Sequence, residues 1–189
     1  MSCNSPCASL ERRRWLQGGL LALAWPSGAR AQAAPPELSD RLQGARLQGS
    51  GSYRWWGVRV YDARLWVAQP LSPARFIEAP FALELQYART LQGREIAERS
   101  VVEMRRIGPF DEAQAQRWQS QLTHAFPDVQ AGDRLLGLHQ PGQPTTFYCN
   151  GRPTHSVAEP TFAPLFFGIW LSDRSPDASL RRALYGNTP

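Results

Sequence analysis

A chain of 189 residues with 42% hydrophobic, 20% charged and 11% aromatic residues has the composition of one globular domain, which excludes disorder, collagen and coiled coil. All 21 basic side chains are arginine, so chemistry that needs a lysine amine, such as a Schiff base, is excluded as well. The formal charge of +5 falls to +2 once the first 33 residues are set aside, and with no basic run longer than a pair the remainder attracts phosphate too weakly for nucleic-acid binding.

From Glu11 to Ala33 the chain passes from Arg12-Arg13-Arg14 through an apolar run, Trp15 to Trp25, to Ala29-Arg30-Ala31-Gln32-Ala33. Charged, apolar and small segments in that order read as a secretory signal. The run has eleven residues, against the roughly 20 that a membrane span needs, so no stable membrane span is expected. A buried helix is the alternative. Arg12 to Leu16 is similar to the twin-arginine export motif, with the general secretory route as the other possibility. Cleavage after Ala31 or Ala33 removes Cys3 and Cys7 and leaves Cys149 alone, so the expected product is a soluble periplasmic protein without a disulfide. Residues 34–41, with Pro35-Pro36, then read as a linker and residues 42–186 as one domain.

Val58 to Val67 carries its apolar residues at a two-residue period that changes face once, which predicts a strand with a bulge near Tyr61. Phe81 to Ala88 alternates through four pairs, the pattern of a sheet wet on one face. Arg94 to Arg106 repeats Ile96, Ser100, Val101 and Met104 at helical spacing, with Arg94, Glu95, Glu98, Arg99 and Glu103 mostly on the other side. A second helix is expected over 111–125. Its stripe is Ala115, Trp118, Leu122 and Ala125, its first turn is acidic, and Pro127 follows its end.

Asp133 to Gln140 and Thr145 to Asn150 flank Pro141-Gly142-Gln143-Pro144 and should pair as a hairpin, after which Asn150-Gly151 makes another turn. Phe162 to Leu171 is apolar around its whole circumference and is read as buried helix. Ser175-Pro176 supplies an N-cap and first-turn proline for a last helix ending at Gly186. These elements make an α+β domain, an antiparallel sheet with helices against it.

No motif for phosphate binding, a nucleophile or paired carboxylates is evident, since Gly49-Ser50-Gly51 precedes a strand and not a helix. His139, Cys149 and His155 have ligand chemistry without ligand spacing, so neither a metal nor a cofactor is expected.

Four stretches in order resemble the bacterial exported branch of the chalcone isomerase-like family: Gly49 to Trp66 with its Gly-Val-Arg-Val-Tyr-Asp-Ala-Arg-Leu-Trp end, Leu83-Glu84-Leu85-Gln86-Tyr87-Ala88-Arg89, Phe126-Pro127-Asp128-Val129 before Gly132-Asp133, and Phe162 to Leu171 with its Phe-Phe-Gly-Ile-Trp-Leu. The resemblance implies an open-faced β-sandwich, a large antiparallel sheet and a layer of helices enclosing a cleft. It also implies two chemistries, because some members isomerise chalcones with an arginine and a polar cluster while others bind fatty acids. Tyr61 stands four residues before Leu65-Trp66, where the fatty-acid-binding branch carries a tyrosine that holds a carboxylate. The resemblance places the partner arginine on the preceding strand, with Arg54 nearest and Arg46 next. The isomerase's lysine has no counterpart in a chain without lysine.

Arginine beside a tyrosine hydroxyl in an apolar cleft is a good carboxylate clamp, because both donate and guanidinium can donate twice. Tyr87 and Arg89 share a strand face and could line the same cleft. The leading expectation is therefore an exported, noncatalytic protein holding a small hydrophobic or carboxylate ligand such as a fatty acid, with Arg54, Tyr61, Tyr87 and Arg89 as candidate binding residues. Two alternatives stand beside it: an enone isomerase in which Arg54 stabilises an enolate, and a periplasmic assembly factor with a vestigial, filled cleft and tryptophans for docking.

Overall fold

The computed structural model describes residues 33–186; residues 1–32, with the arginines and apolar run read in the sequence as an export signal, lie outside the described residues. Six strands form one meander in which each pairs antiparallel with the next: β1 (Arg46–Trp55), β2 (Val58–Val67), β3 (Phe81–Tyr87), β4 (Arg134–His139), β5 (Thr145–Cys149) and β6 (Arg152–Val157). Helices α1 (Gly93–Ile107) and α2 (Glu112–Ala125) interrupt the meander between β3 and β4, and α3 (Phe162–Leu171) and α4 (Ala178–Leu184) follow β6. Strand alternation sends Ala63, Leu65, Val67, Phe81, Leu83 and Leu85 into a core shared with the four helices. The α+β architecture is that of a single sheet covered by a helical layer. No helix among the described residues is long and apolar enough to cross a membrane.

The bulge falls at Val60, one residue before the predicted place, because Tyr53 pairs with Tyr61 while Arg54 pairs with Arg59. Gly49 and Gly51 lie inside β1, not ahead of it. Their lack of a side chain lets α4 lie on the strand: a Cβ at Gly49 would run into the carbonyls of Ala183 and Leu184, and one at Gly51 would stand 2.8 Å from Leu180 Cδ1. Strand β6 was not expected; it is an edge strand whose Arg152-Pro153-Thr154 are exposed, Pro153 is tolerated there, and His155 lies on this strand instead of in a loop.

Helix α2 starts with a capping box, Asp111 accepting from the Gln114 N–H at 2.7 Å and Gln114 from the Asp111 N–H at 3.1 Å. The predicted stripe Ala115, Trp118, Leu122 and Ala125 is buried. Helix α4 is capped by Asp177 and not by Ser175, since Asp177 Oδ1 accepts from the N–H groups of Ser179 and Leu180. The Phe126-Pro127-Asp128-Val129 run anchors α1. Asp128 accepts from the Gly93 N–H at 2.9 Å, and Val129 and Leu91 exchange backbone bonds.

Strand β3 is not wet on either face, contrary to the sequence expectation, for six of its seven residues, all but Gln86, are buried without alternation. Its second face is covered by the segment read as a linker. Residues Pro36–Leu38 form a 3-10 turn that seats Leu38, with Leu42, on Trp66, Ala82, Leu136, Leu138 and Tyr148. Buried Glu84 lies beside this patch, receiving Arg64 at 2.6 Å and the Trp66 indole N–H at 2.9 Å. Arg134 links Glu84 to Glu37 of the covering segment.

Candidate functional site

Three neighbouring strands each contribute a tyrosine at one level of the sheet, because the register pairs Tyr53 with Tyr61 and Tyr61 with Tyr87. Tyr53 stacks on Tyr61 with centroids 5.1 Å apart, and Tyr87 meets Tyr61 edge-on at 5.9 Å. This row borders a cavity of about 610 Å³ between the sheet and the helices, within the range of small-molecule sites. Leu83, Leu85 and Phe147 continue the sheet wall, while Phe166, Ile169 and Trp170 of α3 form the opposite one. The apolar run 162–171, read as core, thus also supplies a wall.

The polar groups converge from α1 and the tyrosines. Glu103, buried, pairs with Arg99 at 2.5 Å and with Arg106 at 3.1 Å, and all three line the cavity. The Arg99 guanidinium also lies over the Trp55 ring, 5.5 Å from its centre. Across the lining Arg54, Arg99 and Arg106 are matched by Glu95, Glu103 and Asp177, so it is the cluster of guanidinium donors and not a net charge that marks this part of the wall. The Tyr61 hydroxyl accepts from the Trp170 indole N–H at 3.0 Å. Burial pushes the Tyr61 and Tyr87 phenols well above their ordinary range, and burial raises Tyr53 too, opposed by Arg99. Each therefore stays a neutral hydroxyl that can donate at neutral pH. Asp177 lines the cavity as well; burial pushes its carboxyl up, but bonds from the Leu180 and Ser179 N–H groups and the Ser179 hydroxyl hold it below the usual range. All three bonds fall on Oδ1, which makes Asp177 the cap of α4. Such a wall can orient an anionic head by donation while apolar walls take the rest of the molecule.

Of the four residues singled out in the sequence, Tyr61 and Tyr87 lie in the cavity. Arg54 reaches only the rim: it is exposed, and its guanidinium donates to the Gly57 carbonyl at 3.1 Å, so the structure does not bring it onto the Tyr61 hydroxyl. Tyr53, and not Arg54, takes the place stacked on Tyr61, which leaves Arg54 at the edge of the lining. Arg89 is a correction: it lies beyond the end of β3, exposed and outside the cavity lining. Arg46, the second choice, is exposed at the start of β1. Sequence reasoning missed Tyr53 and the Arg99-Glu103-Arg106 group. The arginines share a helix face with acids at spacings of three and four residues, which looks like an ordinary solvated face. A buried glutamate was the one sign of difference, and burial is not written in spacing.

His139 is buried, with Nε2 2.8 Å from the Ile77 carbonyl. Among the described residues no group of His, Cys, Asp and Glu is placed to hold a metal ion.

A family model described as chalcone isomerase-like matches residues 35–186. No curated protein matches the chain. Among solved structures, a fatty-acid binding protein of Arabidopsis thaliana superposes with a TM-score of 0.59 at 15% identity, covering 77% of this chain and 88% of that one. At that identity the likeness is one of fold.

Proposed function

The chain belongs to the chalcone isomerase-like family, and we propose that it is an exported binding protein that holds a fatty acid, or a similar long-chain carboxylate, in the cavity between sheet and helices. The observation that carries this reading is the cavity itself, about 610 Å³, aromatic and aliphatic over most of its wall, with arginines and tyrosine hydroxyls concentrated along one part of it. The acyl chain lies against Phe147, Phe166 and Ile169. The carboxylate takes donors from Arg99 or Arg106 and from the tyrosine row, in place of the Arg54 and Tyr61 pair expected from the sequence. A solved fold neighbour that is itself a fatty-acid binding protein supports the ligand class. The leader of residues 11–33 supports export. The assembly-factor alternative expects a filled cleft, and the cavity is open.

Native mass spectrometry of the protein exported by its own cell tests the reading. The expected spectrum carries a retained long-chain acid that is absent from Ser100→Phe, which fills the cavity from α1, where Ser100 lines it. Empty protein together with no uptake of added fatty acids would overturn it.

A further inference from the structure

The β1–β2 hairpin turns on two residues, Trp56 and Gly57, between the closing pair Trp55 and Val58. Both have positive φ, 50° and 80°, the geometry that selects Asn-Gly in tight hairpins. The β5–β6 hairpin follows that preference, with Asn150 and Gly151 at 49° and 82°. Trp56 holds nearly the same backbone as Asn150, where a bulky side chain is unfavourable. It regains nothing by burial, being 89% exposed with its ring edge-on to Trp55. Trp55 and Val58 are about half exposed, so three of the four exposed large hydrophobic side chains among the described residues stand at this tip. Folding accounts for none of this.

The tip wears a collar of arginines. Arg54 is exposed and bonded to the Gly57 carbonyl, Arg59 is half exposed beside Asp62, and Arg99 lies over Trp55. Tryptophans that project from such a collar match the chemistry of a bilayer surface, where indoles rest at headgroup depth and guanidiniums meet lipid phosphates. The tip also adjoins the cavity, since Trp55 and Arg99 belong to its lining.

We propose that the β1–β2 hairpin tip docks the protein on an anionic phospholipid bilayer, with Trp55 and Trp56 at headgroup depth and Arg54 and Arg59 on lipid phosphates. Docking brings the cavity lining to the bilayer surface, where a hydrophobic ligand can pass between the two. That purpose rests on the proposed ligand-binding function; the docking does not.

The test uses the protein exported by its own cell, with nitrogen-15 indoles, added to lipid nanodiscs of equal parts phosphatidylglycerol and phosphatidylcholine that carry a gadolinium-chelating lipid, with a diamagnetic chelate as control. The Trp56 indole signal is identified by its loss in Trp56→Asn, which copies the Asn150-Gly151 turn and leaves the fold intact. The expected result is broadening of the Trp56 signal by gadolinium while buried Trp66 and Trp118 keep theirs. Arg54→Gln should raise the nanodisc concentration needed by about five-fold. A Trp56 signal equal in both chelates would overturn the proposal, as would a dimer in lipid-free solution that Trp56→Asn abolishes, which would make the tip a contact between copies. Fatty-acid affinity of Trp56→Asn in lipid-free solution should equal that of the wild type, so that loss of docking and loss of ligand binding are read separately.

Discussion

The Trp170 indole N–H on α3 donates to the Tyr61 hydroxyl oxygen on β2 at 3.0 Å, a polar link between the helical layer and the sheet at the cavity wall. The phenol accepts in this bond, which leaves its own proton to be donated to a ligand oxygen.

Tyr61→Phe removes the acceptor and strands a largely buried indole N–H, so urea denaturation should show a loss of about 1–3 kcal/mol. Trp170→Phe should cost less from the hydroxyl's side, because a hydroxyl at a cavity wall can turn to water. The double variant should lose less than the sum of the two, as groups sharing one bond do.

Stability should fall on both sides of a neutral plateau. Burial raises the phenols of Tyr61, Tyr87 and Tyr185, while an unfolded tyrosine ionises near about 10. Their contribution is complete below that pH and is lost as pH rises above it. His139 acts in the opposite sense: burial lowers its pKa, with the Ile77 carbonyl opposing, so its contribution is present above the unfolded value of about 6.5 and is lost as pH falls. Melting temperature measured across pH should show the plateau, and Tyr87→Phe should soften the alkaline fall.

Glu84 lies on the sheet face away from the cavity, buried and bonded to Arg64 and the Trp66 indole, with Arg134 3.6 Å away. Glu84→Ala leaves partly buried guanidiniums without their acid and should cost about 3–5 kcal/mol in chemical denaturation. Fatty-acid affinity at a temperature where the variant is folded should not change, which separates the structural face of the sheet from the binding face.

Period and punctuation made most of the elements legible. The helix stripe of α2, the hairpin around Pro141 to Pro144 and the strand from Val58 to Val67 were all written in residue spacing. Strand β6 was not, because an edge strand with one buried residue, Val157, has no alternation to read. Residues 34–41 looked like a linker because Leu38 is a lone apolar side chain among polar ones, although it is fully buried. Tyr61 and Tyr87 were found through the strands that carry them. Arg54 lies in the cavity lining as expected, but its guanidinium is spent on the Gly57 carbonyl, and spacing alone does not show that Tyr53 takes the place beside Tyr61. Arg99 and Arg106 were overlooked because a helix pattern distinguishes packed from unpacked faces, and a cavity-facing arginine shares its sequence surroundings with a solvated one.

Calorimetric titration of a long-chain fatty acid and its methyl ester into wild type, Arg99→Gln and Glu103→Gln decides whether a carboxylate is held beside Arg99 in the cavity. The acid should bind the wild type more tightly than the ester does, lose about ten-fold in Arg99→Gln, where one charged donor is gone, and gain in Glu103→Gln, where the competing acid is removed. Equal affinity for acid and ester, unchanged by either substitution, would mean that no carboxylate is held there.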